Sequence, residues 1–84
     1  MAEPNPEELF DLGIESYDKQ DFSKARKYFE KACNLKDGGG CGALGGLYYN
    51  GEGVEKNLIK TYQFYSKACK LGDQKACEML KELR

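Results

Sequence analysis

The feature that most constrains the fold of this chain is a pair of cysteines that occurs twice, 36 residues apart. The segment KACNLKDGGGC, residues 31–41, aligns with KACKLGDQKAC, residues 67–77. A period between 20 and 50 residues is typical of a solenoid, in which one supersecondary unit is repeated and stacked. The sequence therefore predicts a repeat protein.

Matches outside the cysteine pairs extend the repeat toward the N-terminus. The second unit is longer, and its extra residues lie in the glycine-rich segment NGEGVEKN, residues 50–57. We expect that segment to form a loop. The corresponding residues are Leu12 and Leu44, Gly13 and Gly45, Tyr17 and Tyr49, Phe29 and Tyr65, and Ala32 and Ala68.

Capping residues and the helical spacing of apolar residues predict an all-α fold with five helices. Asn5 is a favourable N-cap, Pro6 fits the first helical position, and Glu8 completes a capping-box-like pair. Gly72 fits the stop before the last helix. The first predicted helix begins after the N-cap Asn5 and ends near Lys19, and the second begins after Asp21 and ends near Leu35. The third runs from about Gly39 to Tyr49. The fourth runs from Leu58 to Leu71 with Asn57 as its N-cap, and the fifth from Gln74 to Leu83 with Asp73 as its N-cap.

Short links between these helices predict antiparallel pairs that stack into an α-α superhelix. We expect one domain over residues 1–84, with a helix pair at 5–36, a second pair at 37–72 and a capping helix at 73–84. Solenoids need a terminal helix with one polar face. The last helix fits this role, because it turns four apolar residues inward: Ala76, Met79, Leu80 and Leu83.

Geometry favours a disulfide within each cysteine pair. On one continuous helix Cys33 and Cys41 would lie about 12 Å apart, too far for a disulfide, so the chain must turn between them. The segment DGGG, residues 37–40, predicts that turn. The spacing of Cys69 and Cys77 across GDQ is the same. Equivalent cysteines in stacked repeats would lie about 10 Å apart, which disfavours pairing of Cys33 with Cys69.

The glycine-rich segment GCGALG, residues 40–45, satisfies the G-x-G-x-x-G pattern of dinucleotide-binding loops. That pattern needs a preceding strand and an acidic residue about 20 positions later. The preceding segment has helical spacing and no carboxylate stands near position 65, so we expect no cofactor. Gly45 has a packing rationale, since a missing side chain lets a neighbouring helix approach. For Gly42 and Gly46 a close-approach surface, a ligand contact and simplification in an engineered chain remain open.

Composition excludes several function classes. The 13 basic and 14 acidic residues are spread along the chain, without the basic patch of a nucleic-acid or anionic-membrane protein. No apolar run is long enough to span a membrane, and the N-terminal MAEPNPEE is acidic rather than a cationic leader. With no histidine, and with gaps of seven residues inside each cysteine pair, we expect neither a catalytic triad nor a zinc site.

These residues resemble the tetratricopeptide repeat, at Leu12-Gly13, Tyr17, Ala25, Phe29 and Ala32. The segment LGGLYYNGEGVEKN, residues 44–57, followed by YSKAC, resembles the Sel-1-like variant with a longer loop. The cysteine spacing is similar to that of the cysteine-rich Sel-1-like repeat proteins of Helicobacter. This resemblance implies a right-handed superhelix, a disulfide within each pair, and export to the periplasm or beyond. Members usually carry several repeats, so this chain is expected to be a shortened or engineered version.

Architecture favours a protein or peptide partner, bound on the concave surface formed by the first helix of each pair. Tyrosines at helical spacing are more often packing residues, so exposure of Tyr17, Tyr49 and Asn50 would favour binding and their burial an inert designed or truncated scaffold. Self-association through the exposed ends of the stack is a further expectation. The ligand-binding candidates are Phe10, Ile14, Tyr17, Asp18, Gly42, Gly46, Tyr49 and Asn50.

The resemblance also implies a weaker alternative, penicillin binding with low β-lactamase activity. Ser16 and Lys19 form an S-x-x-K motif, a spacing that puts a lysine near a nucleophilic serine on a helix. The accompanying S-D-N and K-T-G elements are absent from the sequence. We therefore expect a binding module more than an enzyme.

Overall fold

Five α-helices make up the part of the chain that the computed structural model describes, residues 5–83. Each helix end that the sequence predicted lies within one residue of the observed one, and the all-α superhelical fold is confirmed. Residues 1–4 of the predicted domain and Arg84 of the predicted capping helix lie outside the described residues. The helices are α1 (Pro6–Asp18), α2 (Phe22–Asn34), α3 (Gly38–Asn50), α4 (Leu58–Lys70) and α5 (Gln74–Glu82).

The turn after α2 explains how two helices can follow each other so closely. Lys36 has a left-handed backbone with φ 66°. Its N–H donates to the carbonyl of Cys33 at 2.9 Å, and the N–H of Asp37 donates to the carbonyl of Ala32 at 3.0 Å. This is the Schellman motif, which satisfies the carbonyls left free at a helix end. The same motif follows α1 and α4, with Gln20 (φ 62°) and Gly72 (φ 98°) as the left-handed residues.

The N-cap side chains agree with the sequence except at α5, and at α1 the described residues show the Asn5 cap without a return hydrogen bond to the Glu8 carboxylate. Asn5, Asp21 and Asn57 cap their helices as predicted, each accepting the backbone N–H three residues later, and Asp37 caps α3 in the same way. Asp73 lies at the N-cap position of α5, but its side chain makes no capping hydrogen bond. The predicted cap was therefore wrong in this detail, because the carboxylate lies against α3 instead.

Both predicted disulfides are present. The Cα atoms of Cys33 and Cys41 lie 4.5 Å apart, and those of Cys69 and Cys77 lie 4.8 Å apart. The first bridge is buried, while the second is partly exposed. Gly40 allows the close approach of α2 and α3, since a Cβ atom there would lie 2.6 Å from the Cβ of Ala32.

Phe29 is the centre of the core between the first helix pair and α3. Its side chain is 1% exposed and packs with Leu44 and Leu47. The ring lies against Gly13, which leaves no room for a Cβ atom at that position. The repeated Leu-Gly motif therefore has a packing cause: the glycine of the first helix in each pair receives an aromatic ring from the second helix.

The second core cluster joins the two disulfide-linked hairpins. Tyr65 and Ala68 from α4 pack there with Cys33, Cys41 and Ala76. The apolar residues of α5 face this cluster as predicted, with Ala76 buried and Met79, Leu80 and Leu83 partly buried. The stack measures 43 × 25 × 16 Å, so it is elongated.

Candidate functional site

A groove of about 510 Å³ crosses the face of the molecule formed by α1, α3 and α5. Phe10 and Ile14 of α1 form one wall, and Ala76 and Met79 of α5 form the other. These are the first helices of successive helix pairs, since α5 repeats α3. Most of the groove lining is apolar, which is typical of sites that bind ligands.

The floor of the groove has almost no side chains. It consists of Gly39, Gly42, Ala43 and Gly46, which share one face of α3 at helical spacing. Above Gly46 the space is open, since a Cβ atom there would contact only the Tyr65 hydroxyl, at 3.7 Å. At Gly42 a Cβ atom would lie 2.5 Å from Oδ2 of Asp73. The dinucleotide-like GCGALG segment is thus part of a helix whose glycines serve packing on one side and the groove on the other.

Alanine substitution should separate these two uses of glycine. In a helix interior, glycine to alanine gains up to about 1 kcal/mol, whereas overpacking a core costs about 1–3 kcal/mol. A Cβ atom on Gly45 would lie 2.8 Å from the ring of Tyr65, while Gly46 has space. We expect Gly46→Ala to raise the melting temperature by a few degrees and Gly45→Ala to lower it, measured by circular dichroism on oxidised protein. Shifts in the same direction would contradict this assignment.

Tyr65 brings a hydroxyl into the groove. The residue as a whole is only 6% exposed, and its hydroxyl faces the open space beside Gly46, where a Cβ atom would lie 3.7 Å from it. Burial raises the pKa of Tyr65 above its usual value, and the charges of Tyr49 and Asp73 add to that rise. The group is therefore a neutral hydroxyl at physiological pH, able to donate one hydrogen bond and to accept others.

Two charged side chains complete the lining. Asp73 is half-buried at the N-terminus of α5, and Lys75 is exposed on the same helix. No ion pair joins either residue to another described residue. The groove thus offers an apolar surface with one carboxylate, one hydroxyl and one ammonium group.

A smaller recess of about 180 Å³ adjoins the groove at Ile14 and Gly46. Tyr17 forms the far side of this recess. Its hydroxyl donates to the Glu52 carboxylate and lies 2.9 Å and 3.0 Å from the two carboxylate oxygens. This hydrogen bond, followed by burial, raises the pKa of Tyr17. Asn50 also donates to Glu52, at 3.2 Å. The long loop of the second unit therefore connects to α1 and closes the end of the recess.

The structure brings most of the predicted candidates together. Phe10, Ile14, Gly42 and Gly46 line the groove, and Tyr17 and Asn50 line the recess. Asp18 and Tyr49 line neither. Tyr49 is exposed and faces Lys56, whose Nζ lies 6.0 Å from the ring centroid. The three residues named as the binding criterion thus do not form one patch, because Tyr17 and Asn50 share the recess and Tyr49 lies apart.

Sequence reasoning missed the contributions of Tyr65 from α4 and of the residues at the start of and within α5, together with two residues of α3. The α5 residues could have been found by applying the 36-residue period once more, since Lys75 and Met79 correspond to Gly39 and Ala43. The missed residues are Gly39, Ala43, Tyr65, Asp73, Lys75, Ala76 and Met79.

Ser16 and Lys19 do not form a catalytic pair. Ser16 is 6% exposed, and its hydroxyl donates to the Leu12 carbonyl of the same helix at 2.9 Å. Lys19 extends into solvent, where Nζ lies 3.2 Å from Oε1 of Glu15. Neither residue lines the groove or the recess.

Comparison with known proteins agrees with the repeat architecture. The Sel1 repeat profile matches residues 9–37 and 40–73, and these two matches correspond to the two helix pairs. The chain belongs to the Sel1 repeat family. Within the described residues of this Sel1 repeat chain, no helix is long and apolar enough to cross a membrane.

The Sel1 repeats here are similar to cysteine-rich proteins of Helicobacter pylori. HcpC of strain J99 is 63% identical over 60 residues, which are 71% of this chain and 21% of HcpC. Beta-lactamase HcpA of the same strain is 58% identical over 64 residues, which are 76% of this chain and 26% of HcpA. The chain therefore spans about a quarter of the length of these curated relatives.

A solved structure, Helicobacter pylori cysteine rich protein B, has the same fold. The two structures agree with a TM-score of 0.82 at 38% identity, and the match covers 89% of this chain and 59% of that one. The disulfide-linked helical hairpins described above are therefore a Sel1 repeat arrangement of the same kind.

Proposed function

We propose that this chain is a disulfide-stapled Sel1 repeat module that binds a protein or peptide segment in the groove and performs no chemistry of its own. The observation that carries this proposal is the groove itself, where apolar walls on α1 and α5 flank a floor almost free of side chains. Solenoid repeats commonly use such a surface, built from equivalent helices of successive units, to hold a partner.

The absence of chemistry rests on the environment of Ser16. A serine nucleophile must reach a substrate and a base, whereas this hydroxyl is buried and donates to its own helix. HcpA carries the name β-lactamase. The match to this chain covers only 26% of HcpA, so most of that protein lies outside the comparison. We propose that this chain neither hydrolyses a β-lactam nor forms an adduct with one.

Two disulfides in a chain of 84 residues support an oxidising location. Disulfides persist outside the cytosol and are reduced within it. We propose that the protein acts in the periplasm or outside the cell, where both bridges stay intact.

Filling the groove should abolish binding without unfolding the protein. Gly46→Leu places a side chain in open space, because its Cβ has only one neighbour, at 3.7 Å. Peptides selected on the wild-type protein from a random display library are expected to bind Gly46→Leu at least tenfold more weakly, measured by fluorescence polarisation. Lys27→Leu, an exposed change on α2, is the matched control and should keep the affinity.

Two results would contradict the proposed function. One is that the selected peptides bind Gly46→Leu as well as the wild type, or that no peptide is enriched over a reduced, unfolded control. The other is turnover of a chromogenic cephalosporin, or a β-lactam adduct in the intact mass, which would contradict the absence of chemistry.

A further inference from the structure

We infer that the groove recognises a peptide segment carrying a positively charged group, which Asp73 holds, beside an apolar side chain packed between Phe10 and Met79. This inference rests on the proposed function and specifies the partner. It follows from one carboxylate, one hydroxyl and the shape of the floor.

The Asp73 side chain lies in the groove, where it is able to bind a ligand, and does not cap α5. The other four N-cap side chains accept the backbone N–H three residues later, whereas Asp73 does not. Its carboxylate instead occupies the space above Gly42, where a Cβ atom would lie 2.5 Å from Oδ2. Any side chain at position 42 would push the carboxylate away. The glycine and the missing cap are thus connected, since the carboxylate that lies over Gly42 lines the groove instead of capping α5.

Tyr65 supplies a second polar group that faces the groove. The residue as a whole is 6% exposed, and its hydroxyl is able to exchange hydrogen bonds with a ligand there. The hydroxyl opens into the groove beside Gly46. A peptide carbonyl would accept a hydrogen bond from this hydroxyl, and the open space above Gly46 would let a peptide backbone approach α3 closely.

The position of the Asp73 carboxylate favours a cationic ligand. Asp73 is the one carboxylate among the described lining residues, and no described residue forms an ion pair with it. A cationic group in a partly desolvated groove gains a charge-assisted hydrogen bond there. Lys75 is exposed at the rim of the groove, so solvent screens its repulsion of a cation held by Asp73. We therefore expect preference for a positive charge next to an apolar residue.

Four short peptides test this recognition. Acetyl-Ala-Lys-Leu-Ala-amide carries a side-chain cation, and norleucine in place of lysine removes the charge at similar volume. The same norleucine peptide with a free N-terminus presents an α-amine, and a glutamate peptide reverses the charge. Titrations followed by the amide resonances of Gly42 and Gly46 give the dissociation constants. We expect at least one cationic peptide to bind five- to tenfold more tightly than the neutral one, and the glutamate peptide to bind most weakly.

Variants of the oxidised protein assign the effect to Asp73. Asp73→Asn should remove the preference for the cation, so that the cationic and neutral peptides bind this variant with equal affinity. Lys75→Ala should tighten cation binding two- to threefold. Tyr65→Phe should weaken charged and neutral peptides equally, since it removes only the hydroxyl contact.

The outcomes separate this inference from the proposed function. Equal binding of cationic and neutral peptides, a preference that survives in Asp73→Asn, or no resonance shift with any of the four peptides would overturn the inference. The proposed function would still stand if library-selected peptides were lost from Gly46→Leu, because that variant blocks the groove for any partner.

Discussion

Removal of the buried disulfide is expected to destabilise the protein more than removal of the exposed one. The two bridges have the same sequence separation, 8 residues, so the chain-entropy treatment assigns each about 2.5 kcal/mol. They differ in burial, because Cys33 and Cys41 are 1% and 0% exposed, whereas Cys69 and Cys77 are partly exposed. Cys33→Ala with Cys41→Ala therefore also loses core packing between α2 and α3.

Loss of both bridges should leave little native protein. Together they account for about 5 kcal/mol, against a total stability for a domain of this size of about 4–13 kcal/mol. Urea unfolding of the two double-alanine variants measures the difference in stability between the two bridges. Urea unfolding of the four-alanine variant at 37 °C measures the effect of losing both. The two double-alanine variants serve as controls for each other. Equal midpoint shifts would contradict the role of burial, and a four-alanine variant as stable as the wild type would contradict the role of the disulfides.

Phe29→Ala is expected to lower the free energy of unfolding by about 3–5 kcal/mol, the usual range for a buried aromatic residue. The side chain is 1% exposed and fills the space between α1 and α3, and Gly13, against which it lies, has no side chain to reach into the cavity. The adjacent Tyr28 is partly exposed, so Tyr28→Ala is the matched control and should cost much less. Urea unfolding of the oxidised proteins measures both changes.

A double-mutant cycle makes this prediction specific to the contact. Gly13→Ala alone should destabilise, because its Cβ atom has no room beside the ring of Phe29. In the Phe29→Ala background the same change should be neutral or stabilising, since it fills part of the cavity and favours the helix. Additive effects of the two substitutions would show that the ring and the glycine do not pack as described.

The fold was predictable because its signals are local. Asn5, Asp21 and Asn57 mark helix starts within three residues of chain, and the spacing of Cys33 and Cys41 demands a turn between them. The prediction that residues 37–40 form this turn was wrong, because the chain turns at Leu35 and Lys36, Asp37 caps α3, and the glycines form its first turn. The same reasoning failed at Asp73, although the residue type and position are those of a cap. There the competing contact comes from α3, some thirty residues earlier in the chain, which no capping rule includes.

Only residues on α1 and α3 of the candidate site were predicted from the sequence. Alignment of the repeats placed Phe10, Ile14, Gly42 and Gly46 on one face, and these residues line the groove. It also included Tyr49, by analogy with Tyr17. The two tyrosines differ because the longer loop brings Glu52 to Tyr17, while Tyr49 faces Lys56 instead.

The sequence by itself determined the helices, their pairing and the disulfides of this protein, because these depend on periodicity and on contacts between residues close in the chain. Only the tertiary structure decided what the groove offers a ligand. The Tyr65 hydroxyl and the Asp73 carboxylate reach it from α4 and from the start of α5, and their directions depend on how closely those helices approach the bare face of α3. Such distances come from the packing of the whole stack, and no local pattern encodes them.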